Sequence, residues 1–314
     1  MLAGLTLLQL AMLLVAGVLL DYALGEARRW HPLVGFGNLA NLLERQLNRD
    51  PMRLPRGAAA WTLAVLPLTA LACLACVYGG LAVHAVLLYF CLGLRSLREH
   101  NLPIAHALER GELAQARLLT ARIVSRDTAS ASAGDLAKAS AESLLENGND
   151  AVFGTLFWFL VAGGPGALLF RLANTLDAMW GYRSSRFLWF GCAAARIDDA
   201  LNYIPARLTA LSYVLLADDR QLAWRCWRLQ APAWPSPNAG PVMASGAGAL
   251  GLALGGSAIY DGVCEQRPAL GQGRPAQAGD IRRAWQLVQA TTVLWLAVAC
   301  VASANAWLWS VLGA

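Results

Sequence analysis

The sequence predicts an all-α, polytopic integral membrane protein with about four full spans, a broken or re-entrant hairpin and cytoplasmic helical loops. Three observations carry that expectation. Hydrophobic residues make up 57% of the 314-residue chain and charged ones only 14%, with a positive mean hydropathy; ordinary soluble domains are far more polar. Several charge-free runs reach the ~20 residues that a helix needs to cross a bilayer. The segments between those runs gather nearly all the charge, in stretches with helical spacing. A large soluble helical protein is the alternative that the run lengths disfavour.

Residues 2–20 carry no charge and stop at Asp21. They lack the basic start and small-residue cleavage site of a secretory signal, so they read as an uncleaved first span. Residues 21–56 hold six arginines against four acids and place His31-Pro32 just beyond the membrane. The uncharged run from Gly57 to Leu94 is too long for one span. Gly79-Gly80 offers the turn of a two-helix hairpin with arms 58–78 and 81–94. In 95–150, Leu113, Ala116 and Leu119 recur at helical spacing, as do Leu136, Ser140 and Leu144. Asp135 is the expected cap of the second of these helices and Asn147-Gly148 its stop.

Residues 151–170 are again uncharged, but Gly163-Gly164-Pro165-Gly166 interrupts them. A broken hairpin over 151–170 fits better than a straight span and returns the chain to the side it came from. Beyond the charged stretch 171–211, residues 218–283 are polar and rich in Gly and Pro. The last span is expected at 286–311, with Trp307 and Trp309 as interface anchors. Arginine placement assigns 21–56, 95–150 and 171–283 to the cytoplasm of a bacterial inner (cytoplasmic) membrane. All 314 residues then form a single multi-pass domain.

The net charge of +5 comes from 24 arginines and one lysine. No compact basic tract with interleaved aromatics is present, which argues against nucleic acid as a partner. Cys73 and Cys76 have CxxC spacing but sit in an apolar run without a second ligand pair, so they read as packing residues. The common nucleotide-binding and hydrolase signatures are missing.

Charged groups this close to lipid each need a partner, a ligand or a water-filled cavity. Asp198 and Asn202, four apart, share a helix face; with Asp199 they suit a metal or an ammonium, or else supply helix polarity paired with Arg196. Asn174 and Asp177 share a face three apart. Arg183, Arg186 and Arg207 suit phosphate contacts or membrane-interface anchoring. Glu142 and Glu146 face one way as a magnesium or general-base pair, or as a solvated face with Lys138 pairing Glu142. Ser236-Pro237-Asn238-Ala239-Gly240 offers backbone N–H groups and polar tips to an anion. From spacing alone, an enzyme of phosphate-bearing substrates and a transporter fit equally well.

Five segments occur in an order that carries a resemblance: RDTA (126–129), AESLLENGNDAV (141–152), the whole 171–211 stretch, SPNAG (236–240) and GxxxPxxxxDI (271–281). Together they resemble the CobD/CbiB family of cobalamin-biosynthesis membrane proteins, the adenosylcobinamide-phosphate synthases, from about residue 18 to 290. Two local departures stand out. The early motif reads Gly25-Glu26-Ala27 and His31-Pro32-Leu33 where the family pattern resembles GDP and HPV, and SPNAG is followed by Pro241-Val242 rather than Trp and an acid.

The resemblance implies an acid–amine ligase that joins adenosylcobyric acid, a corrinoid, to (R)-1-aminopropan-2-ol or its O-phosphate with consumption of ATP. ATP and Mg²⁺ are the implied cofactors. Membrane lipid and other late cobalamin-pathway membrane proteins are the further expected partners. On this reading Asp198, Asp199, Glu142 and Glu146 are catalytic, with Mg²⁺ on Asp198, Asp199 and Glu146. Arg126, Asp127, Thr128, Asn174, Asp177, Arg183, Arg186, Asn202, Arg207, Ser236, Asn238 and His31 bind substrate. The stretch 171–211 would form half of the site and 126–150 with SPNAG the other half. An AmpE-like regulatory membrane protein and a transporter are the alternatives; retention of both RDTA and IDDALNYIPARLTAL favours the enzyme.

Overall fold

The computed structural model describes residues 4–26, 31–260 and 262–312. Residues 2 and 3 of the expected first span and Ala27 of the early motif lie outside them. In chain order the helices are α1 (Leu7–Leu24), α2 (Pro32–Leu47), α3 (Arg53–Cys91), α4 (Leu94–Glu109), α5 (Leu113–Thr120) and α6 (Ala133–Gly148). They continue as α7 (Gly154–Trp180), α8 (Cys192–Leu216), α9 (Arg220–Gln230) and α10 (Ala239–Leu250). Strands β1 (Leu252–Tyr260), β2 (Val263–Leu270) and β3 (Arg274–Pro275) precede α11 (Ala278–Leu312). Four stretches are long and apolar enough to cross a membrane: Leu7–Leu24, Arg53–Glu109, Ala133–Trp180 and Ala278–Trp309. The all-α membrane reading therefore holds, with one exception described below.

The chain divides into two compact units. The first comprises Met1–Gly93, Asp150–Asn202 and Leu296–Ala314. Its α7 is a hairpin, not a straight helix. At Ala162 and Gly163 the backbone leaves the helical region, with Gly163 at φ 63° and ψ −153°. A β-carbon on Gly154 would collide with the Phe170 ring, and one on Gly166 with the Trp158 carbonyl. Both pairs are centred on residue 162, so the two arms run back along each other. Glycine is needed at the reversal because side-chain-bearing residues avoid that backbone region.

Gly80 breaks α3 in the same way, at φ 58° and ψ −144°. Near one end of α3, Gly57 abuts the Phe190 carbonyl, and the Phe190 ring packs edge-on against Trp180 at 5.1 Å. Just past the other end, the Gly93 N–H donates to the Ala151 carbonyl at 3.1 Å, and Gly93 neighbours Arg171. A straight helix from 57 to 91 would span about 50 Å, whereas positions 171 and 180 on α7 lie only about 14 Å apart. The turn read at Gly79-Gly80 is thus where the chain folds back. The two reversals are fastened together, since the buried His84 Nδ1 accepts the Gly164 N–H at 2.9 Å. Apolar packing of Phe36, Trp61, Val65, Leu172, Leu176, Trp180 and Phe190 fills the core of this unit.

The second unit comprises Leu94–Asn149 and Tyr203–Trp295. Leu136 of α6 packs with Ala107 of α4 and Ala116 of α5. Gly246 of α10 leaves room for Leu145 of α6. The exception to the all-α expectation is here, a three-stranded sheet of order β2-β1-β3, with β1–β2 antiparallel and β1–β3 parallel. Gly262, at φ 77°, lies between the paired residues Tyr260 and Val263, and it is the glycine signal that the compositional reading of 218–283 passed over.

One boundary expectation needs correction and a second needs extending. Ser132, not Asp135, caps α6; Asp135 instead occupies the third helical position and accepts from the Ser132 N–H, completing a capping box. Asn147-Gly148 does end α6, as expected, but not the helical path of the chain. Asn149 keeps right-handed helical angles and the chain continues through a π turn (Asn149–Phe153) into α7, with no left-handed residue to terminate it.

Replacing Gly163 with alanine forces a β-carbon into the reversal and is expected to cost about 1–3 kcal/mol. A lowered melting temperature of the detergent-solubilised variant, against a near-neutral Gly35→Ala control in an open helix position, is the measurement.

Candidate functional site

The loop between α7 and α8 brings Asp177 and Asp198 together, and it is held at several points. Gly191 presses on the Trp180 carbonyl and the Gly181 N–H returns to the Asp177 carbonyl. Arg186 forks onto Glu44 of α2, with Nε to Oε1 at 3.1 Å and Nη2 to Oε2 at 2.6 Å. Asn48 and Arg53 bond the carbonyls of Arg186 and Ser185. The Arg186 hydrogen bond is the main cause that holds the Glu44 carboxyl below the usual glutamate range. Arg186 is thereby paired with Glu44, while its own side chain stays largely exposed.

Asp198 is 7% exposed. The Asn174 amide donates to its Oδ1 at 3.3 Å and the Asn202 amide to its Oδ2 at 3.1 Å. The expected sharing of a helix face by Asp198 and Asn202 is therefore a hydrogen bond, and Asn174 points at the same carboxylate. Burial pushes the Asp198 pKa well above the usual aspartate value; Asp150 and Asp177 add to the rise, and the two amides oppose it. No ion pair among the described residues includes Asp198 or Asp177. Burial also raises the neighbouring Asp199, against the pull of Arg183.

The result is a group of three neighbouring acids, Asp150, Asp177 and Asp198, with amide donors on the buried Asp198. Asp150 is the member that sequence reasoning did not name; it closes the quoted NGND motif, and its position at the end of that motif was the available signal. Among the described residues no three or more His, Cys, Asp or Glu converge as a metal cluster. Hard carboxylate oxygens still suit a Mg²⁺ ion that keeps most of its waters, because such ions typically use one or two protein carboxylates.

The hydrogen bond and ring contact of His31 are local to α2 and to Phe90 of α3. It caps α2, with Nδ1 accepting the Leu33 N–H at 3.3 Å, and packs edge-on to Phe90; burial lowers its pKa and so favours the neutral ring.

The other predicted residues belong to the second unit. Glu142 is 2% exposed, so the solvated-face alternative with Lys138 as its partner does not hold. Lys138 turns to Asp135 at 3.7 Å and to the Ser257 carbonyl. Glu142 pairs instead with Arg126 and with Arg267, at 3.1 and 3.2 Å, and accepts the Gly255 N–H at 2.8 Å. The β-bulge between Gly255 and Ser257 supplies that N–H, while Arg267 also donates to the carbonyls of Gly255 and Gly256. Asp127 closes a local turn by accepting the Ala129 N–H, and Thr128 donates to the Arg117 carbonyl. Glu146 lies four residues beyond Glu142 on α6 and is partly exposed.

SPNAG does not present free amides. The N–H groups of Asn238 and Ala239 donate to Ser236 Oγ, and that of Gly240 to the Ser236 carbonyl. What the loop does hold is Arg207, which donates to Asn238 Oδ1 at 2.7 Å and to the Pro237 carbonyl at 3.0 Å while lying over the Tyr203 ring at 3.6 Å.

Known proteins place this architecture. A family profile described as CobD/Cbib protein matches residues 14–288. A cobalamin biosynthesis protein CobD from Stutzerimonas stutzeri is 57% identical over 90% of this chain and 95% of its own length. The protein of the same name from Chromobacterium violaceum is 52% identical over 93% and 96%, and that from Mycobacterium tuberculosis 39% identical over 85% and 88%. No solved structure matches. The ordered motifs, the two helical reversals and these matches over most of the chain lead to one assignment: the protein belongs to the CobD/CbiB family of cobalamin-biosynthesis proteins.

Proposed function

We propose that the protein is an ATP-dependent ligase that forms an amide between adenosylcobyric acid and (R)-1-aminopropan-2-ol or its O-phosphate, at the cytoplasmic side of the inner membrane. The observation that carries this reading is the Asp198 carboxylate, buried near Asp150 and Asp177, gripped by two amides and, among the described residues, in no ion pair. A protein bears the cost of burying like charges together where a cation is to be bound. An ammonium ion fits, because its three N–H donors match carboxylate and amide oxygens.

In this proposal Asn174 and Asn202 fix the orientation of the Asp198 carboxylate. Asp198 binds the ammonium of the amino alcohol and takes its proton, so that the neutral amine can attack an activated carboxyl group. Asp177 and Asp150 keep Asp198 basic enough for that task. Asp199 and Arg183 flank the site. ATP would supply the activation, with the carboxylate oxygen that is lost leaving in the released phosphate, and Asp199, beside Asp198, would help hold a Mg²⁺ that offsets phosphate charge. Arg186 and Glu142 act as positioning residues, one clamping the α7–α8 loop and the other joining α6 to the sheet.

Purified protein incubated with adenosylcobyric acid, ATP, Mg²⁺ and each amino alcohol form is expected to give a mass-identified amide and one ADP per amide. Absence of ATP-dependent product with both forms overturns the proposal, and substrate uptake into vesicles without ATP turnover would point to a transporter. Asp198→Asn is expected to lower turnover by a factor on the order of 10²–10⁴, the usual contribution of a positioned acid–base group.

The raised Asp198 pKa also fixes two pH dependences. Below that pKa the carboxyl is protonated and holds no cation, so activity falls with falling pH at values above the ordinary aspartate range. The folded protein binds this proton more tightly than the unfolded chain, so stability is lost as pH rises through the window between the ordinary and the raised pKa. Melting temperature measured against pH is expected to decline less steeply for Asp198→Asn than for the parent protein.

A further inference from the structure

One concave feature of the second unit is not used by the acidic site. A cleft of roughly 630 Å³ opens beside SPNAG, with walls from Trp224, Trp227 and Trp234 and with Arg207 and Arg228 facing it. No carboxylate is among its described lining residues. Its volume lies in the usual range for small-molecule sites.

The geometry is preorganised. Trp224 and Trp227 pack edge-to-face at 5.1 Å, and Trp234 lies under the Arg267 guanidinium at 5.6 Å. Pro235 and Pro237 stiffen the wall. Gly240 lets the loop close against Ala231 and Trp234, because a β-carbon there would fall 2.6 Å from the Ala231 carbonyl oxygen. Among the described residues, Arg207 is anchored by neutral groups: the Asn238 side chain, two backbone carbonyls and the Tyr203 ring. Its charge is oriented but not neutralised, and burial lowers its pKa. Arg228 lies 6.0 Å from the Trp224 ring centroid. Flat aromatic faces beside oriented guanidinium groups recognise a flat ring that carries negative charge.

The geometry points to this cleft as a binding site for a planar ring system bearing an anionic group, a chemistry shared by an adenine nucleotide and by a corrinoid carboxylate. Naming those two sources rests on the ligase reading; the recognition chemistry does not. An aromatic belt that only faced lipid would have no use for an arginine tied down by Asn238 and Pro237, nor for the concavity.

Binding of ATP and of adenosylcobyric acid, each added alone, is measured by ultrafiltration on the full-length detergent-solubilised protein and on Arg207→Gln, Trp224→Ala and Arg228→Gln. Trp224 and Arg228 are exposed, so their variants keep the test valid if loss of Arg207 unfolds the loop. The expected result is at least a tenfold rise in Kd for one of the two ligands in both exposed-site variants, with the other ligand's Kd unchanged, which identifies the source. Unchanged affinity for both ligands in all three variants overturns the inference, as does failure of the parent protein to bind either. Ligation assayed in parallel separates the two claims. Normal ligation with cleft-independent binding removes the cleft and leaves the ligase, whereas cleft-dependent binding without any amide product does the reverse.

Discussion

The buried Asp198 carboxylate is the constraint on which the first unit turns. Placing it near Asp150 and Asp177 costs free energy, and the surrounding structure is arranged to bear that cost. The Gly163 reversal doubles α7 back on itself, so its second arm carries Asn174 and Asp177 to the start of α8. The α7–α8 loop over 181–191 is tied to α2 by the Arg186–Glu44 fork and presses back on Trp180 at Gly191, which holds the two helices near each other. Asn174 and Asn202 supply hydrogen bonds without positive charge. An arginine in either place would neutralise the pocket and leave nothing for a cation to do.

The second unit solves the opposite problem. Its buried carboxylate, Glu142, is fully engaged by two guanidinium groups and a backbone N–H, which ties α6 to the bulged β1 and to β2. Breaking a buried pair of this kind by removing one partner leaves an uncompensated charge, so the cluster fixes the fold firmly. Arg207 stands in contrast, oriented by carbonyl oxygens and an aromatic face with no acid beside it. Two buried acids and three arginines that look alike in sequence therefore have different tasks, and the difference lies in the partners brought to each.

Much of the architecture was legible because bilayer crossing imposes long charge-free runs, and glycine marks the places where such runs turn back. Gly79-Gly80 and the Gly163–Gly166 cluster were readable for that reason. The sheet was not, because β1 carries Gly255-Gly256, β2 (VCEQRPAL) mixes charged and apolar residues, and both are embedded in a segment rich in Gly and Pro. At the site, the pairing of Asp198 with Asn202 followed from helical spacing, since groups four apart share a face whatever the fold. The Arg186–Glu44 and Glu142–Arg267 contacts join positions far apart in sequence, and no local periodicity encodes them. The same holds for Asp150, whose proximity to Asp198 comes from the path of the chain between them.

The proposed role of Asp198 is to bind the ammonium of an amine. Its most direct test is the melting temperature of the detergent-solubilised protein titrated at constant ionic strength with (R)-1-aminopropan-2-ol, in the parent protein and in Asp198→Asn. The account predicts a saturable rise in melting temperature for the parent at a pH where Asp198 is ionised, lost in the variant and absent with uncharged propan-2-ol. An identical response of the two proteins, or no response in either, would contradict it.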